Sequence, residues 1–200
     1  GTMKKEFPIP ISWTTDVNAA AYGEYVFGSG KGLSSVVYYT IGTGVGGGAL
    51  QEGHFIEGFS HPEMGHMLVV PHPKDDFAGS CPFHGNCLEG MAAGPAIEKR
   101  LGKKGQEVAE DDPYWEIEAS YIAQCAYNTT LMFSPDVIIF GGGVMKQRHM
   151  LQNVHDAFAK LVNGYVETPE LSKYIVTPAL EDNAGTLGCL ALAREAVLHS

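Results

Sequence analysis

Two thiols and an imidazole recur at short spacing in Cys81-Pro82-Phe83-His84-Gly85-Asn86-Cys87, and a second imidazole, His66, precedes them. Two thiolates with two imidazoles complete a tetrahedral shell around zinc and leave no position open for a reacting water, so the group reads as a structural zinc site. Glycine at position 85 permits the tight return such a loop needs. His54, His61 and His72 lie nearby as well, so the fourth ligand, assigned to His66, stays open among these histidines.

Carboxylates flank this group. Glu63 stands three residues before His66, where a metal fixing the His66 ring would leave Glu63 facing whatever the loop encloses. Glu89 follows Cys87 by two residues. A carboxylate accepts hydroxyl hydrogen bonds on both oxygens, which suits recognition of a polyol. A solvated surface carboxylate is the plain alternative at both positions. Asp16 opens an alanine-rich stretch, Thr14-Thr15-Asp16-Val17-Asn18-Ala19-Ala20, and serves there either as a helix N-cap or as a general base. Asn18, in the same turn, lies on the helix surface or against a ligand. Gly42-Thr43-Gly44 and Gly141-Gly142-Gly143-Val144 follow apolar strands and can offer backbone N–H groups to phosphate or lie flat beneath a purine. Neither run matches a P-loop or a dinucleotide fingerprint.

The surrounding pattern supplies a scaffold for these groups. Trp13–Phe27 has the alanine content and the closing Gly28 of a helix. Val36–Ile41 reads as a buried strand returning through Gly42–Gly48 as a hairpin, and His54–Ile56 and Met67–Val70 read as further extended segments. Residues 71–90 form an irregular loop, Gly90–Leu101 a short helix opening at Gly94-Pro95, and Pro113–Phe133 a long helix capped by Asp111 or Asp112. Val137–Phe140 is a buried strand, Met150–Val162 a helix, Tyr174–Val176 a strand and Ala184–Val197 the closing helix. Cys125 and Cys189 fall in apolar helical contexts and are expected to be buried thiols without chemistry. Three strands followed by alternating helices and strands predict an α/β fold with a mixed sheet flanked by helices, whose ligands bind at the carboxyl ends of strands.

The 200 residues carry 13 Lys plus Arg against 23 Asp plus Glu, a net charge of −10. Such a surface repels a phosphate backbone, so no nucleic-acid partner is expected, whereas glycine-rich backbone holds a small phosphate without side-chain charge. No apolar run reaches the roughly 18 residues of a membrane span, and the start of the chain lacks the order of an export signal. Four cysteines are too few for a disulfide scaffold, and their grouping with histidine points to a reducing compartment, the cytoplasm.

Taken together, Thr15-Asp16-Val17-Asn18-Ala19-Ala20-Ala21-Tyr22-Gly23-Glu24, Ile41-Gly42-Thr43-Gly44-Val45-Gly46-Gly47-Gly48, His61-Pro62-Glu63-Met64-Gly65-His66, the Cys/His loop and Phe140-Gly141-Gly142-Gly143-Val144-Met145 resemble the ROK (repressor, open reading frame, kinase) sugar kinases. Cys-x-x-His-x-x-Cys behind His-Pro-Glu-Met-Gly-His is similar to the bacterial fructokinase branch, and the resemblance runs from about Pro8 to Val197. It implies ATP-dependent phosphorylation of fructose at its 6-hydroxyl, with Mg²⁺ on the nucleotide, in a ribonuclease-H-like lobe of the actin-like ATPase fold. Asp16 matches the family's catalytic base. Glu63, His66 and Glu89 match sugar contacts, joined by Asn18. His66 is also a zinc ligand beside Cys81, His84 and Cys87. Thr43 and Gly44 match a phosphate loop, and Pro95 with Gly142, Gly143, Val144 and Met145 falls where nucleotide is held. Thr15 stands where many members carry an asparagine that contacts the sugar.

Family members are about half again as long and begin with an Asp/Glu-x-Gly-Gly-Thr phosphate loop that has no counterpart here. The resemblance therefore implies a C-terminal lobe over residues 8–200, with its zinc loop at 61–89, behind a tag or entry segment at 1–7. Sugar binding with little turnover is expected of such a lobe, and its uncovered apolar face favours a homodimer. Another ROK hexose or N-acetylhexosamine kinase, the sugar-sensing lobe of a ROK repressor, and a zinc domain that binds a partner protein are the competing expectations.

Overall fold

The structure, a computed structural model, describes residues 2–198. After a short helix α1 (Thr2–Glu6), α2 (Asp16–Phe27) leads into β1 (Ser35–Ile41), which turns back into β2 (Val45–Gln51) and β3 (His54–Phe55). The Cys/His region contains a single 3₁₀ turn, Met64–His66, and ends in α3 (Leu88–Ala92), followed by α4 (Gly94–Leu101) and α5 (Tyr114–Phe133). Then come β4 (Val137–Gly141), α6 (Met150–Val162), α7 (Leu171–Tyr174), β5 (Ile175–Val176) and α8 (Ala184–Leu198). The strands form one sheet in the order β3-β2-β1-β4-β5, antiparallel through the hairpin and parallel from β1 to β4 and from β4 to β5. The expected mixed sheet flanked by helices is thus what forms.

Alternation along β1 decides the two layers. Val36 and Tyr38 point to one face and pack with Ala20, Ala21 and Ala184 of α2 and α8, while Val37, Tyr39 and Ile41 point to the other, toward Tyr121, Phe140 and Phe158. Both faces being buried, the strand reads as a continuous apolar run, and each large side chain removed from water contributes about 1.5–3 kcal/mol. The backbones of α2 and α8 touch, since a Cβ on Gly188 would stand 2.6 Å from the carbonyl carbon of Ala19 and 3.0 Å from the Gly23 nitrogen. Glu24 is fully buried at the end of α2 and accepts from the backbone N–H groups of Ser29 (2.7 Å), Leu180 (2.8 Å) and Ala179 (3.1 Å), so its charge is compensated.

Several boundaries differ from those expected. The first helix begins at Asp16 rather than Trp13, because Thr15 is its N-cap, its hydroxyl accepting from Asn18 N–H at 3.2 Å; Trp13 is exposed outside it. Met67–Val70 is not a strand. Only Leu68 bridges to Cys87, and Val70 bonds instead to the side-chain amide of Gln124, which accepts its N–H at 2.8 Å and donates to its carbonyl at 3.0 Å. The helix expected over Gly90–Leu101 does open at Gly94-Pro95, as α4, but Gly90–Ala92 belong to the separate α3, the break falling at the extended Ala93, since Pro95 has no N–H to continue α3. Asp112 does cap α5, its carboxylate accepting Tyr114 N–H at 3.0 Å. Cys125 is buried as expected, but Cys189 is exposed, because it lines an open cleft between α8 and the start of α2.

A buried ion pair fastens the loop that follows Val70. Arg100 of α4 grips Asp75 with two bonds of 3.0 and 3.1 Å, the side chains being 8% and 3% exposed, and Tyr121 donates to the same carboxylate at 2.6 Å. Burial works to raise the Asp75 carboxyl, and the hydrogen bonds from Tyr121, Arg100 and Phe77 N–H outweigh it, so the group is held below its usual value. Arg100 also donates to Tyr114, which donates to the wholly buried Glu118. Burial pushes Glu118 up to about 8, against the lowering effects of Tyr114 and Arg100.

A pH dependence follows. Below the ordinary value of 4.5 both folded and unfolded chains hold the Glu118 proton, whereas between 4.5 and about 8 only the folded chain does. Stability declines as pH rises through that window, at up to about 1.4 kcal/mol per unit from this group, and levels off above it. Glu118→Gln flattens that decline in urea melts recorded from pH 5 to 8.

Candidate functional site

His66, Cys81, His84 and Cys87 place one ligand atom each within 4.8 Å of one another. Cys81 Sγ lies 3.7 Å from His84 Nδ1 and 3.8 Å from His66 Nδ1, and Cys87 Sγ lies 3.5 Å from His66 Nδ1. Bonds of about 2.3 Å to sulfur and 2.0–2.1 Å to nitrogen at tetrahedral angles separate the two by about 3.6 Å. The spacing is that of ligands around a common centre. Among the histidines open as the fourth ligand, the ring that reaches the group is His66.

Local structure explains the assembly. Gly85 takes φ +63°, which turns the chain back so that Cys81 and Gly85 bridge, and Cys87 caps α3 by accepting Gly90 N–H at 3.4 Å. Backbone N–H groups of Phe83 and His84 aim at Cys81 and, led by Phe83 and against burial, bring its thiol down to about 6; burial raises Cys87. Cys81 therefore stands ready as a thiolate at neutral pH. Leu88 N–H donates to Met67 carbonyl at 2.8 Å, which joins the end of this loop to the turn carrying His66.

Glu89 occupies the other side of the His66 ring. Its Oε1 is 3.9 Å from His66 Nε2, and its Oε2 accepts from Val45 N–H at 3.0 Å. The carboxylate thus links the Cys/His group to the first residue of β2. From the opposite side, Val17 packs against Gly46, a Cβ there lying 3.5 Å from that of Val17, so the start of α2 also converges on the beginning of β2. Asp16 is exposed at that helix start, with Oδ1 accepting Val17 N–H at 2.8 Å, beside a cleft of about 340 Å³ lined by Thr15, Cys189 and Leu192. Asn18 points inward instead, 4% exposed, its Oδ1 against Gly48. Glu63 is exposed and bonded to His61 at 2.9 Å.

Of the residues expected to hold nucleotide, Thr43, Pro95, Gly143 and Val144 line one cleft of about 550 Å³. Its two sides are joined where Gly94 N–H donates to Gly42 carbonyl at 2.7 Å. Gly142 and Met145 turn the other way, onto a separate cleft of about 430 Å³ beside Lys146 and Asp182, and Gly44 lies under Glu89. Sequence reasoning misses Ile97 and Trp115, which wall the larger cleft, and Lys104 and Gln147 on its rim. Gln147 follows the triple glycine closely enough to be a candidate by position. Lys104 sits in a connection with no chemical pattern of its own.

The ROK family profile matches residues 1–196. The chain is 50% identical to a fructokinase of Streptococcus mutans over 98% of its own length and 67% of that protein's, and 28% identical to a glucokinase of Streptomyces coelicolor over 94% and 68%. It spans about two thirds of the length of these curated relatives. The ROK hexokinase structure from Thermus thermophilus superimposes with a TM-score of 0.82 at 25% identity, covering 99% of this chain and 70% of that one. No helix among the described residues is long and apolar enough to cross a membrane. A fold, a four-ligand cluster and a profile match along nearly the whole chain agree, and the chain belongs to the ROK family.

Proposed function

We propose that this chain is the sugar-holding lobe of a cytoplasmic fructokinase, which moves the γ-phosphoryl group of ATP to the 6-hydroxyl of fructose. The observation that carries the sugar assignment is the gap between 50% identity to a fructokinase and 28% to a glucokinase over comparable spans. Glucose and other hexoses are the less supported alternatives on the same ground.

Phosphoryl transfer asks little covalent chemistry of a protein and much positioning. Zinc held by His66, Cys81, His84 and Cys87 would fix the His66 ring, and with it the side facing Glu89. Glu89 then offers an acceptor and the zinc-held His66, protonated at Nε2, a donor to sugar hydroxyls, and Glu63 adds a second acceptor from the same turn, with Asn18 in the turn that follows Asp16. Asp16 takes the proton from the 6-hydroxyl as the new O–P bond forms and the bond from the γ-phosphorus to the β–γ bridging oxygen breaks, with ADP leaving. In this reading the cleft between Thr43, Pro95 and Gly143 receives ATP, whose Mg²⁺ neutralises phosphate charge, with Gly44, Gly142 and Met145 on the margins of the same turns.

A metal assay with calorimetric titrations tests this. One zinc per chain and fructose affinity at least about tenfold above that for glucose are expected. One zinc with no fructose binding would refute the sugar assignment while leaving the metal site intact.

A further inference from the structure

Glycines in phosphate turns are commonly explained by backbone approach or left-handed φ. Gly44 needs neither explanation. Its φ lies outside the left-handed region that Gly85 (+63°) and Gly142 (+90°) occupy, so alanine fits its backbone. A Cβ at position 44 would meet one group within 4 Å, the Glu89 carboxylate, 2.7 Å from Oε2 and 3.6 Å from Cδ. That same Oε2 is the atom held by Val45 N–H at 3.0 Å.

We propose that Gly44 is a positioning residue for the hexose: lacking a side chain, it leaves the space in which Val45 N–H holds the Glu89 carboxylate beside His66. The obstruction an added methyl would meet is the end of a flexible side chain, so the fold tolerates the change and the carboxylate gives way. Glu89 then loses its backbone donor and swings through the rotamers open to a half-exposed glutamate, and the sugar must order it on binding. A residue of the nucleotide-side turn thereby sets affinity for the sugar, through a group it does not itself present to the ligand. The inference rests on Glu89 being a sugar contact, as proposed above.

The experiment is a fructose titration by calorimetry on the zinc-loaded protein. Gly44→Ala is expected to weaken fructose binding about tenfold, the scale of one charge-assisted hydrogen bond, with zinc content and melting temperature unchanged. Gly46→Ala, whose added methyl meets only ordinary contacts at 3.5 Å and beyond, retains the parent affinity. Glu89→Ala weakens binding further, and adding Gly44→Ala to it causes no additional loss. Parent-like affinity in Gly44→Ala alongside a weakened Glu89→Ala would overturn the inference, as would an undiminished Gly44→Ala effect in the double variant or loss of the fold in Gly44→Ala. Parent-like binding by Glu89→Ala would instead remove the sugar-contact reading on which the inference stands.

Discussion

Cys87→Ser, or treatment with a strong chelator, is expected to lower fructose affinity by about a hundredfold or more. The cause is geometric. His66 carries one nitrogen within 3.5–3.8 Å of both sulfurs and the other 3.9 Å from Glu89, so the ring is oriented for sugar only while its first nitrogen is held. Disturbing partners that merely support a metal ligand costs about 10–100-fold, and removing a ligand costs more. Stability should fall with it, by several kcal/mol, since metal binding to a structural site is folding free energy for the segment that forms it. Calorimetry and thermal melts with and without added zinc read both quantities. A chelated protein that binds fructose normally would detach the metal from the sugar site.

Asp16→Asn should reduce turnover of fructose by about 10²–10⁴-fold in the kinase containing this chain, the range for loss of a positioned base. Its melting temperature should hardly move, because Asp16 is exposed and the cap of α2 is Thr15. Thr15→Ala is the contrasting variant, costing about 1 kcal/mol of stability through the lost bond to Asn18 N–H. Parent-like turnover in Asp16→Asn would remove Asp16 as the base, whatever Thr15→Ala does to stability. Urea melts beside kcat and KM for each separate the cases.

Metal-ligand spacing is legible in a sequence because cysteine and histidine crowded into one short loop have few other uses, and Cys81, His84 and Cys87 announce themselves this way. The sheet is legible for a related reason: β1 and β4 are buried on both faces, so nothing polar interrupts Val36–Ile41 or Val137–Phe140. Met67–Val70 shows where the inference stops. Four apolar residues look like a strand, yet the partner for Val70 is the amide of Gln124, fifty-four positions away on a helix, and no periodicity encodes such a bond. Nor does composition separate Glu63 from Glu89. Both flank residues of the Cys/His cluster, but the latter is held by Val45 across the sheet while the former reaches only His61. The exposure of Cys189 belongs to the same class, since α8 shows its small residues to α2 and the helical pattern alone leaves the orientation ambiguous.

The pairing of Arg100 with Asp75 gives the Cys/His loop a mooring that owes nothing to a metal. Were the proposed zinc removed, slack should appear in the stretches on either side, around 61–69 and 80–89, while the part near residue 75 stays fastened to α4 and α5. Amide exchange would rise in those two stretches and not between them. His66 on one side and Cys81, His84 and Cys87 on the other would then remain a short excursion apart, so that a metal lost from the cluster would be recaptured without passage through the unfolded chain.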